Sequence, residues 1–200
     1  MITAILLAAG ESKRMNGENK LIKKIYGKPL IEHSVKNILE SSIDELIIII
    51  GHQSELIKNI LSRHKKIKFI FNNEYKTGMA SSIQIGLNNL SKETQSFFIC
   101  LGDMPNINKQ IYNSLIKSKN SHQIIIPTYK GQSGNPVLFD KSMKEIITNR
   151  QMSHHLQPVL HCLATLPLDI LQSCPCQYRF HWNSCESLRK SYQDVASQIH

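Results

Sequence analysis

Along the first 140 residues, short runs of β-branched and other apolar side chains alternate with stretches in which apolar positions recur every three or four residues. The first pattern belongs to strands buried on both faces, the second to helices that turn one side to a core. The runs predict strands at residues 2–8, 46–50, 67–71, 97–101, 124–127 and 136–139. The spaced stretches predict helices at 29–41, 55–61, 79–90, 111–117 and 141–148. In the first of these, Leu30, Ile31, Val35, Ile38 and Leu39 fall on one side and Pro29 stands at the start, where its missing N–H costs nothing. Strands alternating with helices in this order predict an α/β class, a three-layer sandwich around a mostly parallel sheet.

Past Arg150 the pattern changes. Lys, Ile and Asn give way to Gln, His, Cys and Leu, and the predicted elements are a helix at 156–163, a strand at 178–182 and an amphipathic helix at 184–199 with Ser184 as N-cap. Neither a repeat nor a linker interrupts the chain, so residues 1–200 read as one domain whose last 50 residues form a divergent part.

Composition narrows the function classes. At 41% hydrophobic with 9 Gly and 7 Pro the chain is neither disordered nor collagen-like. Its longest apolar run, residues 46–51, is far short of the ~18 residues of a membrane span, and no signal peptide precedes the first strand. A cytoplasmic protein without membrane contact is expected, with Cys100, Cys162, Cys174, Cys176 and Cys185 reduced. The net charge of +9 falls entirely within residues 1–150, which favours anionic ligands. The densest basic run, Arg63, Lys65, Lys66 and Lys68, reads as a solvated face at a helix end. With 6% aromatic residues there is no stacking platform, so nucleic acid is not expected as a partner.

Candidate chemistry begins where the first strand ends, at Leu7, Ala8, Ala9, Gly10, Glu11, Ser12, Lys13 and Arg14. Small residues and a Gly let the backbone turn and approach a phosphate or a base; Ser12 can donate, and Arg14 and Lys20 can neutralise charge. The segment is neither GxxxxGK[ST] nor GxGxxG, and a tight turn with surface cations is its plainer reading. Gly78, Met79, Ala80, Ser81, Ser82 and Ile83 open a helix with paired hydroxyls, which suit an N-cap or a base edge. Gly102, Asp103, Met104 and Pro105 place a carboxylate just past a strand's carboxyl end, where α/β sheets bind ligands and where Mg²⁺ could be shared with phosphate oxygens. Gly134, Asn135 and Pro136 precede a strand, as a hairpin turn or as the face for a second substrate.

In this order and spacing the segments resemble the molybdenum cofactor nucleotidyltransferase family, and Ala8-Ala9-Gly10 is similar to its cytidylyltransferase branch; the guanylyl branch usually has Ala-Gly-Gly. The resemblance covers about residues 1–150. It implies a Rossmann-like nucleotidyltransferase fold and an Mg²⁺-dependent enzyme moving CMP from CTP to the terminal phosphate of molybdopterin cofactor, with pyrophosphate released. It implies that Leu7, Ala8, Ala9 and Gly10 meet base and ribose, Ser12 the nucleotide, Arg14 and Lys20 the triphosphate, Ser82 the base, Asp103 the metal, and Gly134, Asn135 and Pro136 the pterin. A molybdoenzyme or a cofactor-insertion chaperone would be the downstream partner. Two alternatives stay open: a nucleotidyltransferase of this fold with another phosphorylated acceptor, and a catalytically impaired nucleotide-binding accessory protein.

The tail departs from the family pattern. Where the family has an Asp-Ile-Asp-Thr-Pro segment, this chain reads His181, Trp182, Asn183, Ser184, Cys185 and Glu186. Asn183 is then the second metal ligand, offering a neutral amide oxygen in place of a carboxylate. Cys174-Pro175-Cys176 is spaced more tightly than the usual zinc pair and is read as structural or incidental.

Overall fold

The computed structural model describes residues 1–12, 19–62, 64, 66–129, 132–148 and 179–181. In chain order the elements are β1 (Ile2–Ala8), a hairpin of β2 (Lys24–Ile25) and β3 (Lys28–Pro29), α1 (Leu30–Leu39), β4 (Glu45–Ile50), α2 (Ser54–Leu61) and β5 (Ile67–Phe71). There follow α3 (Met79–Asn88), β6 (Ser96–Leu101), α4 (Lys109–Lys117), β7 (Ile124–Tyr129), β8 (Gln132–Ser133), β9 (Val137–Asp140), α5 (Met143–Thr148) and β10 (Arg179–His181).

The main sheet runs β10-β7-β9-β6-β1-β4-β5, with β8 folded back on β7. β1 sits between β4 and β6, parallel to both, and β5 extends the parallel set on the far side of β4. β9 runs against β6 and β7, so the sheet is mixed, with the parallel strands in the majority. The predicted strand at 178–182 survives as β10, parallel to β7. The helices predicted at 156–163 and 184–199, Asn183 and the Cys174/Cys176 pair lie outside the described residues.

Burial explains why the strands read as unbroken apolar runs. Leu46, Ile47, Ile48, Ile49 and Ile50 are all fully buried because helices cover both faces. On one face Ala4, Leu6, Ile48 and Phe98 meet Ile31 and Val35 of α1, Ile57 of α2 and Leu115 of α4. On the other, Ile5, Ile47, Ile49, Phe97 and Phe139 meet Ile83 and Leu87 of α3 and Met143 of α5. These are the three layers expected of alternating strands and helices. Cys100, on β6, is a free thiol inside the first of these layers; burial pushes it up to about 12, against a smaller opposing effect of its bond to Tyr112, so it stays protonated. Among the described residues no helix is long and apolar enough to cross a membrane.

The register aligns four carboxyl ends on one edge. Ala8 stands opposite Ile50, Ile50 opposite Phe71, and Leu7 opposite Leu101. The next residues of each strand, Ala9, Gly51, Asn72 and Gly102, therefore emerge side by side, and the candidate chemistry gathers there.

Candidate active site

Backbone bonds draw these four strand exits together. The Gly102 N–H donates to the Leu7 carbonyl at 3.1 Å, the His52 N–H to the Ala9 carbonyl at 3.2 Å, and the Asn72 N–H to the Ile50 carbonyl at 2.8 Å. Gly51 is required by the approach of Tyr75: a Cβ there would lie 2.7 Å from Tyr75 Cβ and 2.9 Å from the Ala9 carbonyl oxygen. The result is a cleft of about 440 Å³, lined among others by Leu7, Ala8, Ala9, Gly10, Ser12, Lys20, Ser82 and Asp103.

The backbone after β1 turns at a position the sequence did not single out. Gly10 is not in the left-handed region; Ser12 is, with φ 51°. A short polar side chain that bonds locally can hold such a conformation, and the Ser12 hydroxyl accepts from the Lys20 N–H at 3.0 Å. That bond ties Ser12 to Lys20; residues 13–18 between them, which include Arg14, lie outside the described residues. After the loop, Asn19 caps a 3-10 turn over Lys20–Ile22 by accepting the Leu21 N–H at 3.0 Å, which brings Lys20 to the cleft.

There the Lys20 ammonium meets Asp103, Nζ to Oδ2 at 3.3 Å, with both side chains about one-third exposed. Asp103 is held by its neighbours' backbone. The Ser34 hydroxyl of α1 donates to the Gly102 carbonyl at 2.9 Å and the Asn37 amide to the Pro105 carbonyl at 2.8 Å. Among the described residues Lys20 is the side chain that meets the carboxylate, which has further lone pairs to offer a ligand.

Ser82 reaches the same cleft from α3. Gly78 caps this helix with φ 119°, a conformation that disfavours any other residue. Neither serine is an N-cap: the Ser81 hydroxyl bonds back to the Gly78 and Glu74 carbonyls at 2.9 and 3.0 Å, and Ser82 is buried at the cleft wall. Sequence reasoning missed Asn72, which is fully buried and whose amide donates to both hydroxyls at 2.9 Å. Its signal was its place, immediately after a strand's carboxyl end. Met79 of the motif that opens α3 lines the cleft as well, as do Tyr75 and Lys76, which the sequence did not single out.

Gly134, Asn135 and Pro136 do not line this cleft. They precede β9, whose first residue Val137 stands opposite Ile99, so they occupy the same sheet edge one strand further on. Asn135 and Pro136 are buried, and Gly134 is half-buried with its N–H on the Pro127 carbonyl at 2.8 Å. The Lys66 and Lys68 side chains of the basic run are exposed, and Lys68 reaches only the Asn89 carbonyl, as a solvated face would.

The described residues contain no group of three or more His, Cys, Asp or Glu that could hold a metal by itself. Asp103 and Glu11 are the carboxylates that line the cleft, and so sparse a donor set fits a divalent cation that takes most of its remaining ligands from phosphate oxygens and water, as Mg²⁺ does. Asp103 meets that requirement.

Comparison with known proteins accords with this geometry. Bifunctional protein GlmU of Staphylococcus epidermidis is 29% identical over 134 residues, covering 66% of this chain and 29% of its own. That of Staphylococcus saprophyticus is 27% identical over 143 residues, covering 71% and 31%. The chain thus spans under a third of the length of these curated relatives. Among solved structures, Rv0371c of Mycobacterium tuberculosis H37Rv aligns with a TM-score of 0.75 at 16% identity over 98% of this chain and 97% of its own. It is also known in complex with manganese. The 4-diphosphocytidyl-2C-methyl-D-erythritol synthase of Anaerococcus prevotii aligns with a TM-score of 0.67 at 16% identity, over 98% and 96%. At such identities these structures establish the fold alone. The family rests on a broader match, because the model of the MobA-like NTP transferase domain fits residues 4–166: the chain belongs to that family of nucleotidyltransferase domains.

Proposed function

We propose that this protein is an Mg²⁺-dependent cytidylyltransferase that transfers CMP from CTP to the terminal phosphate of molybdopterin cofactor. The observation that carries the reading is the convergence of Lys20, Ser82 and Asp103 on one cleft beside residues 7–12. An ammonium for the triphosphate, a hydroxyl for the base and a carboxylate for a cation are the parts such a transfer needs. Ala9, with a methyl where the guanylyl branch has none, narrows the wall beside the base.

In the proposed reaction an oxygen of the acceptor phosphate forms a bond to the α-phosphorus of CTP while the bond to the bridging oxygen of the leaving pyrophosphate breaks. The acceptor is already ionised at neutral pH, so no protein nucleophile or general base is required. Residues 7–12 and Ser82 hold the nucleoside, Lys20 and Arg14 balance the charge on the triphosphate, and Gly134, Asn135 and Pro136 face the pterin from the adjoining edge. Asp103, with Asn183 from the tail, would hold Mg²⁺, which supplies Lewis-acid neutralisation of the phosphoryl oxygens. The manganese complex of Rv0371c supports a divalent cation in this fold. The product would pass to a molybdoenzyme or the chaperone that loads it.

Incubation with each NTP, Mg²⁺ and molybdopterin cofactor, following pyrophosphate release, tests the proposal. CTP with molybdopterin should give the fastest release. Release only with another phosphorylated acceptor would transfer the reading to that acceptor, a course the methylerythritol synthase likeness favours. CTP binding without turnover under any condition would leave a nucleotide-binding accessory protein.

A further inference from the structure

A serine hydroxyl at a binding wall can serve as donor or acceptor, and which of these the ligand meets depends on what the protein has already taken from it. Here the protein's share is defined. The Asn72 amide oxygen accepts the Glu74 N–H at 2.9 Å, which fixes the orientation of the amide, so its NH₂ faces α3 and donates to Ser81 and Ser82. Ser81 passes its own proton to the Glu74 and Gly78 carbonyls. Ser82 accepts from Asn72, and among the described residues no acceptor takes its proton. Asn72 is fully buried and has no place on the cleft surface, whereas Ser82 lines it.

We propose that Asn72 is a positioning residue that sets the polarity of Ser82, taking one of its two lone pairs and so turning its proton, which no described residue accepts, toward the nucleotide base. The base selected at this point is then one that presents an acceptor there, such as the N3 and O2 edge of cytosine, and one that presents an N–H in place of N3, such as uracil, is penalised. This rests on the nucleotide-binding reading of the cleft. It adds to that reading the source of the base preference, which lies in a side chain the base does not touch.

The decisive variant is Asn72→Asp, which keeps the shape and can still accept the Glu74 N–H but can no longer donate. Its second oxygen takes the Ser82 proton, and the hydroxyl turns its lone pairs to the cleft. Affinity for CTP, measured by calorimetry in the full-length protein, should fall about tenfold, and the CTP-to-UTP preference should shrink by a similar factor, the scale expected when a binding group meets the wrong polarity. In turnover assays the change should appear in KM with kcat little altered. Asn72→Ala, which removes the donor without inverting it, should give a smaller effect in the same direction and serves should the buried carboxylate hinder folding.

A Ser82→Ala background separates polarity from support of the loop. There Asn72→Asp should leave CTP affinity and base preference unchanged. An equal loss with and without the Ser82 hydroxyl would assign Asn72 a purely structural role and overturn the inference, as would an Asn72→Asp protein with the base preference of the wild type. Wild-type protein that binds CTP but releases no pyrophosphate would overturn the transferase reading while leaving this one standing; wild-type protein that binds no nucleotide would overturn both.

Discussion

Two lysine–aspartate pairs stand at opposite ends of the same sheet, and they are built for different purposes. Asp140 ends β9 opposite Ser96, at the amino end of β6, and its carboxylate receives the Lys119 ammonium at 2.8 Å together with the Ser142 N–H and hydroxyl at 3.0 and 2.8 Å. Asp103 follows the carboxyl end of β6 and, among the described residues, receives the Lys20 ammonium at 3.3 Å. The side chains of the first pair are 23% and 29% exposed, those of the second 34% and 38%. A carboxylate that has spent its lone pairs on its own chain serves the fold. One that keeps them beside a cleft remains able to hold a ligand or a cation.

The surroundings repeat the contrast. At the amino end the polar groups satisfy one another: the Ile2 N–H donates to Asp44 at 2.7 Å, and the Thr3 hydroxyl lies 3.1 Å from Glu45 and 3.0 Å from Thr94. At the carboxyl end Ser12, Asn72 and Ser34 spend bonds on holding loops in place, while Lys20, Ser82 and Asp103 face open space. Both ends are polar, and among the described residues it is the carboxyl end whose polar groups line the cleft.

The largest expected effect follows from neutralising the open carboxylate. Asp103→Asn should lower turnover by ~10²-fold or more, because cation binding at the phosphates is lost, while the melting temperature stays close to wild type. Near wild-type pyrophosphate release at saturating Mg²⁺ would remove Asp103 from the metal site. Nucleotide choice comes next. CTP should exceed GTP by a factor of ~10², since a pocket that excludes by size and reads a base edge discriminates on that scale, and Ala9→Gly should narrow the gap. Turnover with GTP equal to that with CTP would dismiss Ala9 as the determinant. Lys20→Met should cost about tenfold in kcat/KM, the scale of one partly exposed charge-assisted contact to phosphate. A variant with unchanged kinetics and lowered stability would show that Lys20 serves the fold as Lys119 does.

How far this division is legible in the sequence depends on what carries each feature. The central strands are legible because burial on both faces demands consecutive apolar residues, as at Leu46, Ile47, Ile48, Ile49 and Ile50. The hairpin of β2 and β3 is not: each strand has two residues, and what forms it is the pair Tyr26 and Gly27 at φ 50° and 77°. No alternation of apolar residues announces so short an element. Asp103 and Ser82 are legible because local motifs place them. Asn72 is legible only in its place after a strand's carboxyl end; its role arises where β5 ends against the start of α3, and its neighbours in sequence do not name the two hydroxyls it serves. The left-handed conformation of Ser12 is likewise not legible, since the hydroxyl's partner, the Lys20 N–H, stands eight residues away.

The smallest effect tests the closed pair, and it should touch stability alone. Burial pushes the Asp140 carboxyl up, but the bonds from Lys119 and Ser142 and the lysine's charge outweigh it and hold the group at about 2, below its ordinary 3.8. A carboxyl whose folded-state value is depressed contributes stability that is fully present above the unfolded value and is lost as pH falls through the folded one. With solvent screening at this partly exposed site, Asp140→Asn should cost about 1 kcal/mol at pH 7, with kcat and KM unchanged because the residue lies at the far end of the sheet from the cleft. The difference between variant and wild type, measured by urea unfolding, should shrink between pH 4 and pH 2 as the wild-type carboxyl takes up its proton. A gap that persists undiminished to pH 2 would mean that the cost comes from disturbed packing, and an altered KM would mean that the two ends of the sheet are coupled, so that the separation between a carboxylate kept for the fold and one kept for a ligand does not hold.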